Sequence, residues 1–313
     1  MKYCLFVVAT AATLVAQSAS SSYQTDINGN RVEYGATSTT KDGATTQLSQ
    51  SINGRLVPRE QTESRVLSET PTEKVTESFD RKYDLNGQLV STERTVTTER
   101  KLPGGGTSTN ASVYRSDVNG GMPEVERRNT ETQPSGPDKT TSDVTIARPT
   151  ANGGFETVEQ RKIVRTVEPN HGSEDQTVYL KSLSGEFVAK RRTVTESQTS
   201  GTKTDASVQN YEADYQGRMA LLNSETSTTM VSSDGRQVME RNIYASASDG
   251  VPRDEQGGQK IKEQQTIVRT PGPGGSFTET VSVRRPTLAD QSHLGPATQI
   301  SETVCTGKCD GKP

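Results

Sequence analysis

Large apolar residues and tyrosines recur along the chain in phase with a series of glycine-containing turn dipeptides. In six units a large apolar residue lies two positions after the turn glycine: Leu56, Leu89, Met122, Phe155, Phe187 and Met219. In five units a tyrosine lies six positions before it: Tyr23, Tyr114, Tyr179, Tyr211 and Tyr244. Self-similarity at a fixed period is typical of a repeat architecture. We therefore expect one structural unit to recur along most of the chain.

The turn glycines set the length of that unit. They are Gly29, Gly54, Gly87, Gly120, Gly153, Gly185, Gly217 and Gly250, spaced 25 residues apart once and 32 or 33 residues thereafter. Asn-Gly and Asp-Gly favour two-residue hairpin turns, because both central positions need positive φ. A second series of Gly- and Pro-containing turns, such as 103–106, falls midway between the first. Each unit is therefore predicted to be a β-hairpin, giving about sixteen or seventeen strands.

The connections are too short to hold crossover helices, so neighbouring strands should pair in antiparallel order. Neither face of a predicted strand is cleanly apolar: Phe155, Glu159 and Arg161 would share one face and Val158 and Lys162 the other. We expect an all-β, elongated antiparallel meander of hairpin repeats, largely a single-layer sheet with both faces partly exposed to solvent. The small apolar set near each turn would form a narrow ribbon of core along the repeat axis.

The amino-acid composition agrees with a single-layer sheet that is exposed to solvent on both faces. Hydrophobic residues make up 28% of the 313 residues, aromatic residues 4%, and the mean hydropathy is -0.77. These values exclude a thick-cored enzyme domain and a bundle of transmembrane helices. A disordered secreted stalk is the alternative, but disordered chains usually carry high net charge. Here 36 basic residues nearly balance 39 acidic ones, and the acidic pI near 5.7 gives nucleic-acid binding little support.

The N-terminus has the three parts of a secretory signal peptide. One lysine precedes an apolar stretch at 5–16, and small residues near position 20 suit a cleavage site. The stretch is too short to span a bilayer, which disfavours an N-terminal anchor. The sequence predicts a signal peptide at 1–20, a hairpin repeat domain at 21–285 and a C-terminal tail at 286–313. The mature chain is expected to be secreted, periplasmic or at the cell surface, peripheral to a membrane at most.

An outer-membrane porin is the other all-β interpretation of an exported strand meander. A porin requires a lipid-facing apolar row on each strand and aromatic girdles at two levels. Arg, Glu and Lys instead occur on both faces of nearly every predicted strand. The bilayer midplane penalises each Arg or Lys by about 2–4 kcal/mol. The charge pattern therefore disfavours a membrane-spanning barrel.

Two cysteines, Cys305 and Cys309, remain in the predicted mature chain. In an oxidising compartment they are expected to form a local disulfide that closes a small loop. An intermolecular bridge and a redox-active pair stay open as alternatives. A metal site would need further ligands, and the two histidines, His171 and His293, show no spacing that groups them with the cysteines.

No motif selects a catalytic, metal or cofactor site. Asp26 and Asp117 begin segments with oxygen ligands at alternate positions, but the twelfth residue from Asp26 is Thr37, where an EF-hand loop needs Glu. Turn propensity explains these segments better. The carboxylates are spread evenly along the repeats, so nothing selects a glycosidase pair. We therefore expect no catalytic residues, no metal and no cofactor.

One segment resembles a known repeat family. The residues Tyr83, Asp84, Gly87 and Leu89 match the core of the YD (RHS-type) repeat, Tyr-Asp-x-x-Gly-x-Leu, and the segments 214–219 and 52–56 are looser echoes. Members of that family are secreted proteins whose β-hairpins wind into shells or stalks, so the resemblance implies a secreted β-hairpin protein. The overall plan is also similar to that of secreted bacterial repeat proteins, which implies no activity.

Taken together, the sequence predicts a secreted, non-enzymatic repeat protein that acts as an envelope or extracellular scaffold, spacer or binding surface. Envelope proteins or polysaccharide are the expected partners. From a different class, an envelope carbohydrate-active or thiol-redox enzyme stays open as the alternative.

Overall fold

The structure is a computed structural model that describes residues 17–25, 30–40, 44–245, 260–287 and 293–306. It contains eighteen β-strands. In chain order they are β1 Gln17–Thr25, β2 Arg31–Thr40, β3 Ala44–Ile52, β4 Arg55–Glu69, β5 Glu73–Tyr83, β6 Leu89–Lys101, β7 Thr107–Arg115, β8 Glu124–Pro134, β9 Lys139–Pro149, β10 Phe155–Val167, β11 His171–Lys181, β12 Phe187–Ser200, β13 Lys203–Ala213, β14 Met219–Val231, β15 Gln237–Ala245, β16 Ile261–Pro271, β17 Phe277–Arg284 and β18 Thr298–Thr306. One short 3-10 turn, Pro273–Gly275, precedes β17.

Each strand pairs antiparallel with the next one along the chain, and β1 also pairs with β18. At this seam Ser22 lies opposite Thr303. The all-β antiparallel meander predicted from the sequence is confirmed. The open single-layer sheet is wrong, because the β1–β18 pairing closes the meander into a barrel. Closure leaves no strand of the described ranges with an unpaired row of backbone N–H and C=O groups.

The two ends of the barrel differ in their connections. The turns after odd-numbered strands lie at one end, which we call end 1, and those after even-numbered strands lie at end 2. Strand β1 starts at end 2 and β18 finishes there, so both described termini are at end 2. The two longest connections, 246–260 and 285–297, are both at end 1. The barrel therefore has a short-turn end that carries the termini and an opposite end that carries longer segments.

The glycines of the series lie in the turns at end 1, but the two-residue geometry expected from the sequence is wrong for most of them. Among the described residues, Asn53 is the only non-glycine residue with positive φ, so within this series only the turn at Asn53 and Gly54 has positive φ at both central positions. In the β13–β14 turn, Gly217 has φ of 79°, and its N–H donates to the carbonyl of Asp214. The Asp214 carboxylate accepts from the backbone N–H groups of Gln216 and Arg218, both at 2.8–2.9 Å. Six turn glycines of the series have positive φ: Gly54, Gly87, Gly120, Gly153, Gly185 and Gly217. Gly29 and Gly250 lie outside the described residues.

A single-residue β-bulge interrupts each of the eight strand pairs from β3–β4 to β17–β18 that meet at end 1. Between β9 and β10 the register shifts between Thr157 and Glu159, so Val158 is the extra residue. A bulge reverses the alternation of faces beyond it. Phe155 and Glu159, assigned to one face from the sequence, therefore lie on opposite faces of the wall.

The barrel wall has few fully buried side chains. The buried apolar residues within the described ranges are Val113, Ile146, Val178, Val283 and Cys305. Strand β1 begins inside the segment predicted as a signal peptide, and β18 lies inside the segment predicted as a tail. Among the residues that the structure describes, no helix is long and apolar enough to cross a membrane.

Candidate functional site: a charged barrel wall with an aromatic girdle

The strand register assigns each wall residue to one of two faces, because directly opposed residues share a face and neighbours in a strand alternate. Glu77 and Arg94 lie on what we call the first face. Val113, Ile146 and Val178 lie on the second face. These assignments stay consistent around the whole barrel, including the seam between β1 and β18. Each face is therefore one continuous surface.

The first face carries a ring of aromatic and aliphatic side chains near end 1, which we call the girdle. Its tyrosines come from the last three residues of odd-numbered strands: Tyr23, Tyr83, Tyr114, Tyr179, Tyr211 and Tyr244. Its other members come from the first two residues of even-numbered strands: Leu56, Leu89, Phe155, Phe187 and Met219. The phased set that the sequence assigned to an internal ribbon of core is thus a belt around one end of the wall.

Arginines cover several of these rings. The guanidinium of Arg31 lies 4.0 Å from the ring centre of Tyr23, and that of Arg127 lies 3.9 Å from the ring centre of Phe155. Arg94 approaches the Tyr114 ring at 5.1 Å. Cation–π contacts of this kind attract the cation to the face of the ring. Because Arg31, Arg127 and Arg94 also pair with carboxylates, the girdle combines apolar surface with arginines whose charge is balanced.

The first face also contains a buried carboxylate held by two arginines. Glu77 on β5 is 3% exposed. Its two carboxylate oxygens each accept a hydrogen bond at 2.7 Å, one from Arg65 Nε on β4 and one from Arg94 Nε on β6. Charge-assisted bonds to a carboxylate are among the strongest in proteins. This cluster links three consecutive strands across the wall.

The second face is charged as well, and several of its charges are also paired. Glu126 lies 2.5 Å from Arg128 and 3.3 Å from Arg148. Glu263, at the β16 end of the same face, lies 2.6 Å from Arg285. Both surfaces of the wall thus carry ion pairs of mixed sign, so neither surface has a strong net charge of one sign.

At end 1 one turn carboxylate has an altered acidity. The backbone N–H of Arg218 is the main cause that lowers the pKa of Asp214, and the Arg218 guanidinium acts in the same direction. Desolvation of the carboxyl opposes them. A carboxylate that accepts several N–H bonds is stabilised in its charged form. The turn is therefore held in part by the ionised state of Asp214.

The structure describes some of the other candidate residues named from the sequence. Cys305 is buried near the end 2 terminus of β18, whereas Cys309 lies outside the described residues. No disulfide joins two described residues, so the pairing stays a prediction. His171 begins β11 at end 2, and His293 lies in the β17–β18 connection at end 1. Within the described ranges no group of three or more His, Cys, Asp or Glu residues could hold a metal ion.

Comparison with known proteins points to a fold. No protein family and no curated protein matches the sequence. The chain is similar to the outer membrane protein OpdK from Pseudomonas aeruginosa, at 10% identity and a TM-score of 0.53, covering 93% of this chain and 97% of that one. A bacterial polysaccharide outer membrane secretin (8% identity, 95% and 98% covered) gives 0.44, and a porin-like protein from Bacteroides uniformis (10%, 93% and 96%) gives 0.22. The first likeness shows a shared barrel fold.

These findings overturn the function predicted from the sequence. A secreted scaffold, spacer or binding surface was inferred from an open, wet sheet made of independent hairpin repeats. The sheet is closed, the hairpins form one barrel, and that barrel is similar to the fold of an outer membrane protein. The description as a secreted structural repeat protein is therefore wrong. The physical reason is that the long-range β1–β18 pairing leaves no signal in the periodic local pattern.

Proposed function

We propose that the protein is a β-barrel channel of an outer membrane, integral to the bilayer, which passes small polar solutes through a water-filled lumen. The observation that carries the proposal is the girdle on one face of a closed barrel. Outer-membrane barrels display aromatic girdles on their outward, lipid-facing surface at the level of the membrane interface. The girdle here lies on one continuous face and at one end.

The girdle implies that the first face points outward and the second face lines the lumen. The burial of apolar side chains supports this assignment, whereas the buried carboxylate of Glu77 on the first face is covered by its two arginines. Side chains crowd together on the concave side of a curved sheet, and Val113, Ile146, Val178, Val283 and Cys305 all lie on the second face. The lumen wall then consists of these small apolar side chains among paired Arg and Glu residues.

Strand length and the position of the termini favour the same arrangement. A tilted β-strand needs about 9–11 residues to cross a bilayer, and the strands here have 8 to 15. Outer-membrane barrels have short periplasmic turns and longer extracellular loops. End 2, with both described termini, would accordingly face the periplasm, and end 1 would face outward.

Several charges on the outward face are paired, which lowers the cost of this placement. The penalty of about 2–4 kcal/mol for each Arg or Lys applies to an isolated charge at the midplane. Charged residues within membranes persist where they pair with one another. Arg65 and Arg94 share Glu77, and Arg81 lies 3.0 Å from Glu63. Each group thereby loses part of its net charge before it meets lipid.

The lumen determines which solutes pass. Barrels of 16 to 18 strands leave an aqueous channel. Because ion pairs of both signs line the second face, we propose weak selectivity between small anions and cations. No catalytic step is part of this proposal.

Single-channel recording in planar lipid bilayers tests the proposal. The purified chain without residues 1–16 should give stepwise conductance in symmetric potassium chloride. Thr303→Pro is the matched control, because proline removes a backbone donor from the closing strand and should abolish the steps. Folded wild-type barrels, identified by a β-type circular-dichroism spectrum, that give no conductance and do not float with liposomes would contradict the proposed function.

A further inference from the structure

Five neighbouring turns at end 1 have apolar or aromatic residues at their tips, and we call this set of tips the rim. They occupy the same position in each turn, two residues before the turn glycine: Leu85, Val118, Ala151, Leu183 and Tyr215. The four large side chains are 62%, 101%, 110% and 93% exposed in that order. The hairpins that carry them, from β5–β6 to β13–β14, are consecutive around the barrel.

Turn geometry does not explain these side chains. All five turns have the same pair of backbone hydrogen bonds. In the first turn, the N–H of Asp84 donates to the carbonyl of Gln88, and the N–H of Gly87 donates to the carbonyl of Asp84. The turn at 232–236 has the same two bonds at end 2, and there the equivalent tip residue is Ser233. This backbone geometry therefore accepts a polar tip. The recurrence of apolar tips at end 1 calls for a partner that covers them.

We propose that two copies of this chain join end to end through their rims. The order of the tip residues around the barrel is the order that a two-fold contact requires. Ala151, the smallest side chain, is the middle tip, with one large apolar tip at each side and another beyond it. About a two-fold axis through the middle tip, Val118 of one copy meets Leu183 of the other. Leu85 meets Tyr215, and the two Ala151 residues meet each other.

The contact closes at two copies. A two-fold interface uses the same patch on both partners and leaves none for a third. At end 2 the described turns are rich in Pro, Gly and Ser, as at 134–137, so these turns offer no equivalent rim. In the orientation proposed above, in which end 1 faces outward, joined rims would place two barrels of facing membranes on a common axis.

The area of the contact indicates a weak dimer. Five hairpins comprise ten strands, which span roughly 60 Å of arc at the spacing and tilt usual in barrels. With a wall about 10 Å thick, the two rims would together bury about 1,200 Å², near the lower limit for specific interfaces. Dimers should therefore form at high protein concentration and dissociate on dilution.

A cysteine at the two-fold axis tests the geometry directly. In the full barrel in detergent, oxidation of Ala151→Cys should join two chains through position 151, because each cysteine meets its own copy. The same change at end 2, Ser135→Cys, should give no dimer beyond that of the parent chain, which controls for the native cysteines. Equal cross-linking at both positions, or none at position 151 at any concentration, would overturn the proposal.

Light scattering across a concentration series tests the apolar contacts. The double variant Val118→Glu with Leu183→Glu should raise the dissociation constant of the dimer at least tenfold. The control Ser233→Glu, in the same turn type at end 2, should leave this constant unchanged. A rim that contacts lipid instead would lose liposome binding in the double variant without any cross-link at position 151, and this result would also overturn the proposal. These readouts do not depend on conductance, so a failed channel assay leaves them interpretable.

Discussion

Glu77 shows how this wall accommodates a buried charge. The carboxylate is almost inaccessible to solvent, yet both oxygens accept an arginine N–H across the neighbouring strands. Because Arg65 and Arg94 keep part of their surface exposed, their own desolvation is incomplete. The cluster is therefore a cross-link between three strands in which the carboxylate is the most buried member.

Replacing this carboxylate should lower the free energy of unfolding much more than replacing an exposed carboxylate. Glu77→Gln leaves two arginines facing a neutral amide, and we expect the free energy of unfolding to fall by about 2 kcal/mol, below the usual range for a buried pair because the arginines are partly exposed. Glu73→Gln, which breaks the exposed pair with Arg100, should cost less than about 1 kcal/mol. Urea unfolding of the refolded barrels measures both, and equal losses would contradict the role given to Glu77.

Asp214 gives a prediction for pH. Because hydrogen bonds from Arg218 and Gln216 lower the pKa of this carboxyl, its stabilising effect is complete above the ordinary value of about 3.9. The effect is lost as the pH falls through the lower pKa of the folded state. We expect the carboxyl carbon of Asp214 to titrate below its ordinary range by nuclear magnetic resonance. A midpoint at or above that range would show that the turn does not select the ionised form.

At the scale of single elements, the turns were the most predictable feature. The dipeptides of the glycine series place Gly87, Gly153 and Gly217 at positive φ, and local chemistry alone accounts for this. The girdle was less predictable. Its tyrosines and apolar residues recur in phase with the turn glycines, but the sequence did not show that they share one face of the wall. Bulges such as the one at Val158 change the face of every residue beyond them, so simple alternation along a strand mixed the two faces.

The rim was missed for a different reason. Its apolar residues also recur at a fixed distance from the turn glycine, but turn tips are expected to be polar, so single apolar residues there predict nothing by themselves. The signal lies at one position, two residues before each glycine, where Leu85, Val118 and Leu183 stand. Only the closed barrel shows that these tips are neighbours on one ring.

The turn glycines lead to a prediction at this scale. Gly217 has φ of 79° and no neighbouring atom near an added Cβ, so Gly217→Ala introduces backbone strain without a steric clash. We expect it to lower the free energy of unfolding by about 1 kcal/mol. Gly136→Ala is the control, because Gly136 is not at positive φ and an added Cβ would make ordinary contact with Lys139. If thermal or urea unfolding gave equal shifts, positive φ would not be the cause.

For the whole molecule, closure is the property on which the proposed channel depends. The register at the seam places Ser22 opposite Thr303. We expect the double variant Ser22→Cys with Thr303→Cys to form an internal cross-link on oxidation, identified by mass spectrometry of the digested chain. A control pair away from register, Ser22→Cys with Thr298→Cys, should not cross-link. The absence of a link in the first variant would mean that the sheet stays open.

Closure could not be derived from the sequence because each hairpin specifies only its own two strands and its neighbours. The local sequence pattern of β1 does not indicate that it pairs with β18. The charge pattern does not help, because both faces of the wall carry charges whether the sheet is open or closed. The charge argument against a barrel also treated each arginine as isolated. Pairing such as that of Arg81 with Glu63 appears only when strands are placed side by side.

The seam also imposes an order on folding. Most strand pairs join segments that are adjacent in the chain, so their loops are short and their contacts form early. The seam instead links residues as far apart as Ala19 and Thr306, 287 positions along the chain. Contacts of high sequence separation slow folding, because the entropy of closing the loop is lost before the contact is gained. The barrel should therefore pass through a curved ribbon with two free edges, and the rate-limiting event is the meeting of its first and last strands.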